Sequence, residues 1–453
     1  MKVKYIFAFL LVSPVLSGQE VLNEYVRYGV ENNLALQQKQ SGYQKSIEAL
    51  KEAKGLFYPN ISFNARYSVS EGGRVIDFPI GDLLNPVYST LNNLTASSMF
   101  PMVENQQVQF LRPFEHETKL RLIQPMINPD IYYNSRIKKE LTLFEEQDVN
   151  QYKRELIAEI KKAYYNAAMA QGVLLMLTET RKLLTENVRV NRKLIENDKV
   201  TLDYLYRSET ELSKFDQELQ NAEKNKLIAA AWFNFLLNKP LTDSILIVQP
   251  DKYPSLEDFT GDYAKSAVDN REELKKLSSY SHISGLQIQM SKSGKLPDMF
   301  IAVDYGFQGT KYRFNRDQDY VQASAVLTWN LFSGFQNRSK ISQSVYDKEI
   351  IDKKLEETTK QIELQVINTM NELLTSEKGI VAAERQLKNA NEGFRLVNRK
   401  YEEGQSSLIE FIDARTTLTR AEENLIISRF KYLSSFAEFE KVTAINKADK
   451  TFH

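Results

Sequence analysis

Residues Pro59 to Ser70 read PNISFNARYSVS, and Pro297 to Phe307 read PDMFIAVDYGF. In the first stretch Ile61, Phe63, Ala65, Tyr67 and Val69 are apolar, and Ser62, Asn64, Arg66, Ser68 and Ser70 between them are polar. A period of two predicts a β-strand with one apolar and one polar face. The second stretch keeps the phase, with Met299, Ile301, Val303, Tyr305 and Phe307 set against Ala302, Asp304 and Gly306. The two prolines stand 238 positions apart (297 − 59), and the same spacing relates Tyr25, Val30, Asn32 and Leu36 to Tyr263, Val268, Asn270 and Leu274. The chain is therefore two copies of one unit.

Working outward, a partner strand follows each of these. In the first copy Leu120 and Leu122 alternate with Lys119 and Arg121; in the second, Val321 to Leu331 alternate with Gln322, Ser324, Thr328 and Asn330. Gln124 to Asn128 (QPMIN) aligns with Trp329 to Ser333 (WNLFS) at 205 (329 − 124), so the first copy carries an insertion, placed at Gly72 to Glu117. Each copy supplies one hairpin of roughly 9 to 11 residues per strand, a length that crosses a bilayer. The insertion, with Pro79, Pro86, Pro101 and Pro113 and an apolar part around Leu83, Leu84, Leu91 and Leu94, is expected to be the outer loop of the first hairpin, folded over its mouth.

Proline is absent from Asp130 to Lys239 and after Pro297. Steps of four and three read Leu156, Ile160, Ala163, Ala167, Ala170, Leu174, Leu177, Arg181, Leu184, Val188, Asn191, Ile195 in the first copy. They read Ile362, Val366, Thr369, Leu373, Ser376, Ile380, Ala383, Leu387, Ala390, Phe394, Val397, Tyr401 in the second, 206 positions later (362 − 156). A sustained repeat of 3.5 means long helices packed side by side. From Asn134 to about Glu196 such a helix extends roughly 90 Å. Arg181 and Asn191 interrupt the first seam as local polar contacts.

The domain plan is a secretory signal over 1–18, a first repeat over 19–248 (hairpin about 59–127, long helices 134–238) and a second over 249–453 (hairpin about 297–332, long helices 337–445). Lys2 and Lys4, the apolar Tyr5 to Val12 and the small residues Val15 to Gly18 carry the signal. Four strands per chain cannot close a membrane barrel, so several chains must pool theirs. Polar strand faces then line a bore, apolar faces meet lipid, and all helices leave the barrel on one side.

Composition excludes much. Lys plus Arg and Asp plus Glu each number 59, so no net field favours nucleic acid. There is no cysteine, which removes disulfides, thiolate metal sites and a lipid-anchor site, and the three histidines are scattered. No acid and base pair, nucleophile arrangement or phosphate loop stands out. An enzyme, a cofactor and a metal are not expected.

The duplicated order of hairpin and long helices, Leu331 to Gly334 (LFSG) after the fourth strand, and Tyr401 to Arg415 (YEEGQSSLIEFIDAR) together resemble the TolC-like outer-membrane efflux proteins. The resemblance covers almost all of the chain after the signal. It implies a homotrimer with a twelve-stranded outer-membrane barrel continuous with a periplasmic α-helical barrel. It further implies a passive exit duct that docks at its tip to a periplasmic adaptor (membrane-fusion) protein and works with an inner-membrane pump of the RND or ABC type. Glu410 and Asp413 match the acidic rings of the periplasmic constriction, and Asp203 in the first copy is a further candidate for such a ring; acids in a helix's first turns also complement its dipole. Tyr401 matches a tip tyrosine that holds helices shut, and it also ends an apolar seam. Lys199, Val200 and Thr201, with Gly404, Gln405, Ser406 and Ser407, are the adaptor-contact candidates. The first tip lacks a glycine where the second has Gly404, and Asp198 is the residue there that tolerates left-handed geometry. An exit duct for type I protein secretion and a secreted coiled-coil structural protein or adhesin are the rival readings.

Overall fold

The computed structural model describes residues 18–248, 253–254 and 261–445. Residues 1–17 of the expected signal and part of the linker between repeats lie outside these residues, while Gly18 opens the first helix. Nine helices and six strands are described: α1 Gly18–Asn32, α2 Leu34–Gly55, β1 Asn60–Val69, β2 Val75–Phe78, α3 Ile80–Thr95, β3 Gln106–Gln109, β4 Phe114–Ile127, α4 Pro129–Glu196, α5 Leu202–Leu236, α6 Tyr263–Asn270, α7 Glu272–Ser293, β5 Asp298–Gly309, β6 Asp319–Thr328, α8 Gln336–Glu402 and α9 Leu408–Thr443. The protein is mainly helical with one four-stranded sheet.

The duplication survives in three dimensions. Helices α2 and α7 correspond at 238 (272 − 34), while α5 and α9 correspond at 206 (408 − 202). Tyr25 meets Phe233 edge-on at 5.0 Å, and their counterparts Tyr263 and Phe439 repeat the contact at 5.1 Å. The left-handed residues that end α5 and α9, Asn238 and Ala444, are also 206 apart (444 − 238). Equivalent side chains are buried in both copies, Leu156 and Ile160 in one and Ile362 and Val366 in the other. The heptad seams are thus real cores. Arg181 leaves the seam to pair with Asp216 at 2.6 Å, and Thr180 is buried in its place.

The chain divides into two compact units. One comprises residues up to 47, 140–284 and from 346 on; the other comprises 48–139 and 285–345. The first unit is helical, and one of its buried cores is built from Leu22, Val26, Leu36, Leu156, Ile160, Phe233 and Leu237.

The second unit holds the sheet, antiparallel throughout in the order β1-β4-β5-β6. Both expected hairpins are present, and β4 pairing with β5 joins them. Register puts Ile61, Leu122, Val303 and Ala323 in one row across the sheet and Phe63, Leu120, Tyr305 and Val321 in the next. That face is apolar, and Ile61, Phe63, Leu120, Tyr305, Val321 and Leu327 on it are exposed. The opposite face carries a connected set of charges. Arg121 grips Asp304 with two bonds of 2.7 Å, and Lys119 lies 3.6 Å from Asp304 and 2.7 Å from Glu117. Tyr320 donates to Glu117 at 2.8 Å, and Arg66 stands 3.9 Å from it.

Several expected boundaries move. Strand β4 starts at Phe114, inside the bounds given to the insertion, because Phe114 to Glu117 pair with Val69 to Arg66. Strand β6 ends at Thr328, short of the expected Leu331, because its partner β5 ends there: Asp298 faces Thr328. Beyond it the Trp329 indole donates to the Lys295 carbonyl at 2.9 Å, and Gly334 and Phe335 turn the chain through left-handed geometry. Helix α4 starts at Pro129 instead of Asn134. Proline fits the first helical position, where its missing N–H costs nothing, and the Asn128 side chain caps it by accepting from Ile131 N at 3.0 Å. The insertion is an ordered β2-α3-β3 module.

Candidate functional site

The candidate residues gather at two helix-to-helix turns of the helical unit. After α4, Asp198 adopts φ 55°, with Lys199 N donating to Leu194 O at 2.8 Å and Asp198 N to Ile195 O at 2.9 Å. After α8, Gly404 adopts φ 74°, with Gln405 N donating to Lys400 O at 2.7 Å and Gly404 N to Tyr401 O at 3.0 Å. Both are the same six-to-one helix stop, and the missing glycine of the first copy is replaced by a left-handed aspartate. Left-handed geometry costs an L residue about 1–2 kcal/mol, less for aspartate. A Cβ on Gly404 would meet nothing within 4 Å, so the penalty there is purely backbone. Gly404→Ala is expected to destabilise by about 1 kcal/mol and Asp198→Gly not to destabilise at all, as read by thermal unfolding at 222 nm.

Lys199, Thr201, Gly404, Gln405 and Ser407 are exposed; Val200 and Ser406 are partly covered. The helices that follow start differently. Ser407 and Glu410 form a reciprocal cap on α9: Glu410 N donates to Ser407 Oγ at 3.3 Å and Ser407 N to Glu410 Oε2 at 2.8 Å. Ser406 Oγ donates a second bond to that carboxylate at 2.6 Å. These donors hold the Glu410 carboxyl below its ordinary range, the Ser406 hydroxyl first among them. Asp413, one turn further, is exposed. At α5 no such box exists. Thr201 donates to Asp203 instead, and Asp203 reaches Arg207 at 4.0 Å. Asp203 is therefore occupied within its own turn, whereas Glu410 keeps its second oxygen free of the cap.

Tyr401 does more than close a seam. Its ring stacks on Phe411 at 4.7 Å, and its hydroxyl donates to Asn191 Oδ1 at 2.9 Å. Asn191, fully buried, passes the connection on: its Nδ2 donates to Ser208 Oγ at 2.6 Å, and Ser208 to Tyr204 O at 2.7 Å. One chain of hydrogen bonds thus ties α8 of the second copy to α4 and α5 of the first. Burial pushes the Tyr401 phenol up, so the hydroxyl stays a proton donor. Sequence reasoning placed Asn191 only as a break in the seam. A buried asparagine at a core position fixes register in coiled coils, and that was the available signal.

Arg415 is a second link that motif matching left without a role. It is buried on α9, donates to Thr180 Oγ1 of α4 at 2.6 Å, lies 3.8 Å from Glu422 and stands over the Phe394 ring at 5.4 Å. It borders a cavity of about 650 Å³ between α4, α5 and α9, also lined by Leu177, Phe215 and Glu423. Among the described residues no cluster of histidines and acids has the arrangement to hold a metal, and no helix is long and apolar enough to cross a membrane.

The profile of the family described as "Outer membrane efflux protein" matches residues 263–444. Outer membrane protein TolC of Escherichia coli K12 is 23% identical over 159 residues, 32% of this chain and 32% of that protein. The aligned stretch thus spans about a third of that curated relative. A membrane protein from Pseudomonas aeruginosa superposes with TM-score 0.78 at 14% identity, covering 98% of this chain and 99% of that one. The Campylobacter jejuni CmeC outer-membrane channel superposes with TM-score 0.78 at 14% identity, covering 95% and 88%. At such identity these two likenesses establish the fold.

Proposed function

We propose that this chain, which matches the TolC-like outer-membrane efflux protein family over residues 263–444, is the outer-membrane exit duct of a tripartite efflux system, passively conducting substrates outward. Three copies would pool four strands each into a twelve-stranded barrel in the outer membrane of a Gram-negative bacterium, with the helical part in the periplasm.

The sheet is the observation that carries this reading. Its exposed face is apolar and its charges sit, mutually paired, on the other face. That is inverted for a soluble protein, which buries its apolar face, and is the arrangement of a barrel with lipid outside and water inside. Strands β1 and β6 are edges, and an open edge in lipid leaves backbone groups unpaired, so neighbouring copies complete the ring.

The turns at 199–201 and 404–407 are the docking points for a periplasmic adaptor protein linking the duct to an inner-membrane pump. Glu410 and Asp413, repeated three times, line the constriction; Asp203, already engaged by Arg207, contributes less. Hydrogen bonds favour the charged form of Glu410, and close packing of its copies favours bound cations or partial protonation.

Purified in detergent, the chain is expected to have the mass of a trimer and to give discrete ionic conductance in a planar bilayer. A monomer soluble without detergent overturns the proposal. In the conducting protein, Glu410→Gln with Asp413→Asn preserves the side-chain shapes while removing the charge, and block by multivalent cations is expected to be lost. Undiminished block removes these two residues from the gate.

A further inference from the structure

The insertion between β1 and β4 has a built interior and an unbuilt face. Strands β2 and β3 form its stem. Beyond it the returning strap, residues 97–105, is fastened along one side of α3 by asparagines. Asn85 exchanges two hydrogen bonds with the Val103 backbone at 2.8 and 2.9 Å, and Asn92 two with Phe100 at 3.1 and 2.8 Å. Asn105 binds Asp82 through both its backbone N, at 3.1 Å, and its carboxylate, at 3.0 Å. The Val103 carbonyl comes so near Gly81 that a Cβ there would lie 2.3 Å from it. The strap therefore covers the stripe Gly81, Asn85, Tyr88 and Asn92.

The opposite stripe is Leu83, Val87, Thr90 and Leu94, spaced by four, three and four. Leu83, Val87 and Leu94 are strongly exposed (71%, 52% and 78%), and the Thr90 hydroxyl turns back to Pro86 O at 2.8 Å. Over residues 79–103 the only charged side chain is Asp82, itself bound by Asn105, although 26% of the whole chain is charged. A helix at a water boundary, with a single charge at its start and an apolar seam outward, is a surface made to be covered.

Two features say by what. The four-three-four spacing is the seam by which helices pack on like helices. The module also hangs from β1, an edge strand of the sheet, where the next copy of the chain must join. We propose that α3 docks on a second copy of this chain, its Leu83-Val87-Leu94 seam meeting the same seam of neighbouring copies around the barrel axis to form a helical lid over the outer mouth. This rests on the trimeric duct proposed above.

The chain has no cysteine, so single thiols report cleanly. Leu83→Cys and Leu94→Cys would each be treated, in intact outer membranes, with a short bismaleimide, with Ser98→Cys on the strap as control. Both seam variants are expected to shift from monomer to dimer mass on denaturing gels, and the control is not. Light scattering of the same variants in detergent, without cross-linker, separates the two levels of failure. Absence of a trimer defeats the duct itself. A conducting trimer in which neither seam thiol cross-links overturns the lid, whether the thiols react fully with a bulky water-soluble maleimide (an open face) or only with a lipid-soluble one (a face sunk in the bilayer).

Discussion

Replacing Tyr401 with phenylalanine is expected to raise the open probability of the channel in planar bilayers, and adding Asn191→Ala should not raise it proportionately further. The hydroxyl removed is the only group of α8 donating to Asn191, and Asn191 is fully buried, so water cannot stand in for it. A buried acceptor left unsatisfied costs about 1–3 kcal/mol. Spent on the tied arrangement alone, that shifts the balance between tied and released helices about 5- to 150-fold in each protomer. The phenylalanine ring keeps the stacking on Phe411, so the helix seam and the fold remain. Because Tyr401, Asn191 and Ser208 act as one chain, removing a second member adds little once the first is gone. If Tyr401→Phe forms trimers with unchanged opening, the bond is structural and the tip is held by something else, with Arg415 and Thr180 the next pair to test.

The second large effect concerns stability. Arg154 of α4 is 6% exposed and joins the two repeats: Nη2 reaches Glu273 at 2.8 Å and Glu272 at 2.6 Å, and Nη1 donates to the Lys441 carbonyl at 2.5 Å. Breaking such a buried pair strands the remaining charges and costs about 3–5 kcal/mol, whereas an apolar group filling the same space costs less. Arg154→Ala should therefore lower the thermal midpoint of helix loss far more than Arg154→Met combined with Glu272→Gln. Equal losses would mean that packing volume matters there and not charge pairing. The same cluster sets an acid limit. Burial alone would raise the Glu273 carboxyl, but the Arg271 hydrogen bond and the charges of Arg154 and Arg271 outweigh it, and its pKa falls below the ordinary value. A carboxyl depressed in the folded state stabilises fully above its unfolded pKa, about 4.3, and loses that contribution as pH drops through the folded value. Glu273→Gln is expected to flatten this part of the acid unfolding curve.

The duplicated plan, the strand phases and the helical seams were all legible in the residues, because each is a local period. Alternate side chains must face opposite ways along a strand, and every 3.5 residues a helix returns to the same neighbour. For the same reason Ile61 to Val69 declared their face before any partner was known, and Asp198 could be picked as the left-handed residue of a turn without glycine. Boundaries were less legible. Val321 to Leu331 alternate to the end, yet β6 stops at Thr328 because β5 has no more backbone to offer, and the limit lies in a segment some thirty residues away.

What the sequence determined by itself is therefore the repeating pattern, with the phase of its strands and the seams of its helices. Only the tertiary structure decided which polar groups meet. The bond from Tyr401 to Asn191 spans 210 positions, Arg154 finds its acids 118 and 119 positions on, and one oxygen of Glu410 is committed to capping its own helix. A periodic apolar seam fixes which face of a helix is inside, but not how far one helix is slid along another. That axial register, set by the packing of all the helices together, chooses the polar neighbours.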